Sequence, residues 1–331
     1  MTDKPRVWVS RPTFPGIIAR LDPHFEVTVE PEERKFSPSE LAAKLAGQDA
    51  VIVGLKERIG AAEIAHATRL RIVANLGVGY DNLDLDALSA AGIAASNTAD
   101  VLNESVADYA WALMLGAARR MSAAERWLRA GHWHGSEFTA WLGTDVRGRT
   151  LGILGMGRIG QAIAHRAVGF GMPVLYHNRS PLPEEAERAC NARFVDKQRL
   201  LRESDFLMLT LPLTVQTRHA IGAPELALMK PTAILVNVAR GGIVDDKALA
   251  TALRERRLAG AALDVFEGEP AVYPDLLELD NVVLSPHIAS ASTETRRAMT
   301  ALAVDNVLAL FGHGPHAGRP PTILNPHVLD K

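Results

Sequence analysis

The stretch TLGILGMGRIGQAIA, residues 150–164, decides how the chain folds. A strand-like run enters Gly155, Met156, Gly157, Arg158, Ile159 and Gly160, a G-x-G-x-x-G spacing, and helical periodicity follows. In that setting each glycine has a reason. Gly155 permits the tight turn, Gly157 lets a pyrophosphate approach the backbone, and Gly160 allows close helix–strand contact. The helix N-terminus then presents free N–H groups and a positive dipole end to phosphate. The spacing alone also fits an ordinary strand–helix turn; the strand before it and the helix after it make dinucleotide binding the reading.

The next strand, in LYHNRS (175–180), should end about twenty residues on with an acid for the adenine ribose diol. It ends instead at Asn178, followed by Arg179 and Ser180. An acid would repel a 2′-phosphate, whereas a guanidinium beside a hydroxyl would hold it by charge-assisted hydrogen bonds. This favours NADP(H). The alternative is a solvated Arg179 lying near the adenine, compatible with NAD(H).

Outward from this loop, short apolar runs alternate with amphipathic stretches, the pattern of βα units and parallel sheets. Strands are expected at 6–10, 25–30, 50–54, 71–76 and 92–96, with helices near 12–21, 38–47, 61–67 and 84–91. A second series gives six strands, at 150–155, 173–177, 205–211, 233–238, 260–266 and 281–285, and then a helix near 293–312. The Gly/Pro/His-rich end, GHGPHAGRPPTILNPHVLDK, reads as a loose, irregular tail. Between the series, 98–140 breaks the rhythm. It is helix-like and carries Trp111, Trp127 and Trp133, with Trp141 beyond. These tryptophans fit either an internal core or an arm packed on a second subunit.

The 331 residues suit two domains, and 47% hydrophobic with 22% charged residues suits an ordinary globular protein. A net charge of −2 without basic runs argues against nucleic acid. One cysteine, Cys190, cannot form an internal disulfide, and neither a signal-peptide core nor a membrane-length apolar run is seen. The expectation is a cytoplasmic protein without membrane association.

Ligands of an open parallel sheet bind beyond the carboxyl ends of its strands. There stand Arg240 after AILVNV, Glu267 and Glu269 after GAALDVF, and His287 after NVVLS. Each alone reads as a cap, a phosphate contact or a surface charge; together, beside a dinucleotide loop, they suggest chemistry. Hydride transfer to a 2-oxo acid leaves an alkoxide that needs a proton, which histidine can supply. A carboxylate bonded to the imidazole would stabilise its protonated form, and arginine's planar fork can bind a substrate carboxylate. Spacing does not choose between the two glutamates. HWH (132–134) and HGPH (313–316) lack ligand companions, so no metal site is expected, and without a G-x-S-x-G elbow serine hydrolysis has no support.

From about residue 5 to 315 the chain resembles the D-isomer-specific 2-hydroxyacid dehydrogenases, and within them most the glyoxylate/hydroxypyruvate reductases. The resemblance rests on NLGVGYDNLD (75–84), LGILGMGRIGQAIA (151–164), LMLTLPLTVQT (207–217), LVNVARGGIVDD (235–246), ALDVFEGEP (262–270) and SPHIAS (285–290). It implies two doubly wound parallel-sheet α/β domains, flavodoxin-like for substrate and Rossmann for dinucleotide, with an active-site cleft between them. The substrate domain would be discontinuous, 1–98 and 291–331, and the dinucleotide domain 99–290, with a dimerisation arm at about 98–140 joining a homodimer.

The resemblance also implies that Arg240 binds substrate, that Glu269 pairs with His287, and that His287 donates the proton. Val78 and Gly79 would supply backbone donors to the substrate carboxylate, while Leu55 and Lys56 would shape its pocket. Asp264 would lie near the nicotinamide amide, with Leu211, Pro212, Thr217, Val238, Ala239 and Ala289 along the cofactor. Ala289 and Ala99 depart from the family's usual glycine and proline without touching the chemistry. The resulting expectation is NADPH-preferring reduction of glyoxylate and hydroxypyruvate. Alternatives are another D-2-hydroxy acid, of 2-ketogluconate or hydroxyphenylpyruvate type, or a dinucleotide-sensing, corepressor-like binding protein.

Overall fold

The structure is a computed structural model, in which residues 4–135 and 138–330 are described. Residues 1–3, 136–137 and 331 fall within the expected first domain, arm and tail, and lie outside the described residues. The chain divides into two compact units, Met1–Leu102 with Ala291–Lys331, and Asn103–Ser290.

In the first unit, β1 (Arg6–Val9), β2 (Glu26–Val29), β3 (Ala50–Val53), β4 (Ile72–Asn75) and β5 (Ala94–Ser96) form one parallel sheet in the order β2-β1-β3-β4-β5. This is the flavodoxin-like order, with its switch point between β1 and β3. Side chains alternate across a strand, so both faces must be apolar when both are covered. Val7, Val9, Ile52 and Ile72 pack on one face with Ala303, Val304 and Val307 of the helix Thr293–Leu310. Trp8, Val51, Val53 and Val73 pack on the other with Leu41, Leu45 and Leu88. The C-terminal helix thus fills one of the two core layers of a sheet built by the first hundred residues.

The tail is irregular but not loose. Leu324 N–H donates to Ala95 O at 2.7 Å, and Ala95 N–H donates to Asn325 Oδ1 at 2.8 Å. These bonds satisfy the outer edge of β5, which would otherwise expose unpaired backbone groups.

In the second unit, β6 (Leu151–Leu154), β7 (Val174–His177), β8 (Ala192–Phe194), β9 (Phe206–Leu209), β10 (Ile234–Asn237), β11 (Gly260–Leu263) and β12 (Val282–Leu284) are all parallel, ordered β12-β11-β10-β9-β6-β7-β8. Both sheets are doubly wound. The sequence pattern gave six strands here; β8 is the addition. It is a three-residue edge strand with no fully buried side chain, so it leaves no apolar run.

The segment between the two series forms the helices Asn103–Ala118 and Met121–Arg129, broken where Arg120 adopts a left-handed φ of 54°. Trp111 is a core residue: 5% exposed, stacked on Phe170 at 4.6 Å, its indole N–H donating to Ile163 O at 3.1 Å. Trp133, by contrast, is 63% exposed. Among the described residues no helix is long and apolar enough to cross a membrane.

Candidate active site

Strand β6 ends in the glycine loop at the switch point between β6 and β9. Gly155 has φ 102°, and a Cβ there would stand 2.7 Å from Leu211 N, so side chain and backbone both exclude other residues. A Cβ on Gly160 would stand 2.5 Å from Gly155 O, which sets the helix Arg158–Ala167 tight against the loop. Gly157 differs: nothing lies within 4 Å of its added Cβ. The protein's own atoms require the first and third glycines, whereas the second leaves open space at a helix N-terminus. These residues fit a dinucleotide pyrophosphate.

Asn178, where an acid was expected, faces the protein; its Oδ1 accepts the Met156 N–H at 2.6 Å and so holds the glycine loop. Arg179 and Ser180 are exposed on the turn that follows. The Tyr176 hydroxyl, which sequence reasoning missed, accepts the Leu182 N–H at 2.7 Å and donates to Glu187 at 2.6 Å, fixing that turn. Burial and Glu187 push its phenol up to about 12, so it remains a donor. Leu211 and Pro212 follow β9, and Thr217 Oγ1 donates to Pro212 O at 2.7 Å, closing the turn between them. Val238 and Ala239 are buried just after β10.

The three groups at the sheet edge are held by three different devices. Arg240 follows β10, where buried Asn237 accepts the Ala239 N–H at 3.0 Å and donates to Arg240 O at 3.1 Å. A Cβ on Gly241 would stand 1.7 Å from Phe266 O, so only glycine lets this loop abut the one after β11. Glu269 lies on that second loop. Its Oε1 accepts the Phe266 N–H at 2.9 Å, and its Oε2 meets His287 Nδ1 at 2.8 Å. Burial pushes this carboxyl up, but His287, the Phe266 N–H and Arg240 outweigh it and hold the group below its ordinary value. An ionised carboxylate can only accept, so Nδ1 carries the proton and Nε2 is the imidazole's other functional atom.

The structure separates the two glutamates. Glu267 pairs with Arg218 and, at 2.9 Å, with His219 Nε2, tying the loop after β9 to the loop after β11. Glu269 alone reaches His287. Asp264, which is buried, accepts Ser285 Oγ–H at 2.6 Å and the Ile288 and Ala289 N–H groups at 2.9 and 2.8 Å. It therefore anchors the loop that carries His287, whose φ of 56° is left-handed and costs about 1–2 kcal/mol outside glycine. Among the described residues, no group of three or more His, Cys, Asp or Glu could hold a metal ion.

In the first unit, the loops after β1, β3 and β4 meet at its switch point. Buried Glu57 accepts Ser10 Oγ–H at 2.9 Å, Arg11 at 2.9 Å and the Gly54 N–H at 2.7 Å, fixing the loop with Leu55 and Lys56. The Leu55 side chain lies over Gly77, and Lys56 pairs with Glu33 at 3.0 Å. After β4, the carbonyls of Gly77, Val78 and Gly79 accept from Thr98 N–H at 3.0 Å, Asn97 Nδ2 at 2.8 Å and Asn75 Nδ2 at 2.8 Å. Among the described residues no acceptor meets the Val78 or Gly79 N–H.

The sequence profile of the D-isomer specific 2-hydroxyacid dehydrogenase NAD binding domain matches residues 111–289. Glyoxylate reductase of Thermococcus gammatolerans is 48% identical over 98% of this chain and 97% of its own. Glyoxylate reductase of Pyrococcus furiosus is 45% identical over the same shares, 98% and 97%. Among solved structures, the NADPH-dependent glyoxylate/hydroxypyruvate reductase of Sinorhizobium meliloti, in complex with NADP and malonate, superposes with a TM-score of 0.86. It is 37% identical, covering 97% of each chain.

Proposed function

The chain belongs to the D-isomer specific 2-hydroxyacid dehydrogenase family, and from that premise we propose that it reduces glyoxylate and hydroxypyruvate, with NADPH preferred over NADH. The observation that carries this reading is the Glu269–His287 pair at 2.8 Å on the sheet edge that also bears Arg240 and the glycine loop. The nicotinamide, when bound, supplies hydride to the carbonyl carbon of the 2-oxo acid. His287 gives its Nε2 proton to the carbonyl oxygen, and Glu269 fixes the ring and balances the imidazolium. Arg240 holds the substrate carboxylate and polarises the carbonyl.

The same reading gives the Val78 and Gly79 N–H groups to the substrate carboxylate, and pocket shape to Leu55 and Lys56. Gly155, Met156, Gly157, Arg158, Ile159 and Gly160 would line the pyrophosphate, and Leu211, Pro212, Thr217, Val238, Ala239 and Ala289 the rest of the dinucleotide. A homodimer through the 98–140 segment is supported by its apolar surface, with Trp133 at 63% and Phe138 at 98% exposure. The test of the function is a panel of 2-oxo acids assayed with NADPH and NADH in parallel.

The cofactor preference rests on exposed Arg179 and Ser180. Replacing Arg179 by Ala removes a charge-assisted contact to a 2′-phosphate, a loss of about 1.5–3 kcal/mol. KM for NADPH should therefore rise by roughly ten- to a hundredfold while KM for NADH barely moves. Equal changes in both constants would remove Arg179 from phosphate recognition.

A further inference from the structure

We infer that Asn97 and Asn75 are positioning residues for substrate recognition: they fix the peptide planes whose N–H groups receive the substrate carboxylate. This rests on the role proposed for Val78 and Gly79. Across a trans peptide, the C=O of one residue and the N–H of the next point in opposite directions. Thr98 N–H draws the Gly77 carbonyl to itself at 3.0 Å, so the Val78 N–H is turned the other way. Asn97 Nδ2 does the same to the Val78 carbonyl at 2.8 Å, and so turns out the Gly79 N–H. Asn75 Nδ2 completes the series on the Gly79 carbonyl at 2.8 Å.

The asparagines are themselves held. Asn97 is 6% exposed, with its Oδ1 taken by the Ala99 N–H at 3.3 Å. Asn75 is fully buried, and its Oδ1 accepts from Asn82 Nδ2 at 3.2 Å, which leaves its amide N–H groups for Gly79. Asn82 is in turn fixed by the carbonyls of Gly54 and Glu57, both at 3.0 Å. Two successive outward N–H groups form a nest for an anion. Here the nest is imposed from behind by side chains that need not touch the ligand.

Asn97→Asp tests this. It keeps the shape but sets a carboxylate oxygen against the Val78 carbonyl, so the peptide plane turns. KM for glyoxylate should rise about tenfold or more, and the Kd of the unreactive carboxylate oxamate for the NADPH-loaded enzyme by a similar factor. KM for NADPH should stay within about twofold. Asn325→Asp is the control, a buried asparagine of the same unit that bonds β5 through Ile93 O at 2.9 Å and the Ala95 N–H at 2.8 Å and makes no bond to the carbonyls of 77–79. It should lower Tm without moving the glyoxylate KM. Val78→Pro, which deletes one N–H, separates the two levels of the argument. If it raises KM and the oxamate Kd but Asn97→Asp does not, the positioning role is overturned while the carboxylate role of the loop stands. If neither variant moves them, the carboxylate role falls as well, and the inference with it. Should Asn97→Asp fail to fold, Asn97→Ser carries the same expectation, and an unchanged oxamate Kd there overturns it.

Discussion

Replacing His287 by alanine is expected to lower kcat for glyoxylate reduction by about three orders of magnitude, within the range set by losing a general acid. The Kd for NADPH should hardly change. The structure explains why such a variant should report on chemistry rather than folding. The loop carrying His287 is anchored by backbone and hydroxyl bonds to Asp264, from Ser285, Ile288 and Ala289, none of which involves the imidazole. Alanine, like histidine, carries a Cβ at the φ of 56°, so the variant keeps a side chain in the same left-handed backbone and adds no new steric bulk. What the variant removes is the Nε2 proton and the partner of Glu269. Near-normal turnover would end the acid–base assignment.

Replacing Arg240 by lysine should cost one to two decades in kcat/KM for glyoxylate. In the proposed role, lysine would lose one charge-assisted hydrogen bond of a bidentate pair, about 1.5–3 kcal/mol, at about 1.4 kcal/mol per decade. Lysine is the informative choice because it keeps a positive charge near Glu269, whose carboxyl is held down partly by Arg240. The Asn237 bond to the backbone of residue 240 also survives the change. KM for NADPH should be nearly constant, since the expected loss is on the substrate side. An unchanged kcat/KM for glyoxylate would remove Arg240 from the substrate.

Much of this was legible from the chain because the relevant signals are local. The fully buried strands read as apolar runs, and the doubly wound class followed from their alternation with helices. The glycine loop declared itself through flanking pattern, and the roles of Gly155 and Gly160 are visible as close approaches of Leu211 N and Gly155 O. Strand β8 was not legible, because three edge residues with no fully buried side chain give no periodic signal. The order of the tail leaves no local signal, because it comes from pairing with β5, 230 residues away in sequence.

At the site, residue types at strand ends pointed to Arg240 and His287, but spacing could not divide Glu267 from Glu269. The family resemblance implies Glu269, and in three dimensions Glu267 pairs with His219 and Glu269 with His287. The supporting residues were missed altogether: Tyr176, Asn75, Asn97 and Asn237. A signal for two of them did exist. Asn75 and Asn237 each close a buried apolar strand, a costly place for an amide unless it bonds the loop that follows.

The most direct test of the central claim is the initial rate of NADPH oxidation by the wild-type enzyme with glyoxylate and with hydroxypyruvate, run beside NADH at matched concentrations. The expected result is saturable oxidation with both acids and a higher kcat/KM for NADPH than for NADH. Binding of NADPH without oxidation by any 2-oxo acid would contradict it, and would make the chain a dinucleotide-binding protein with no turnover.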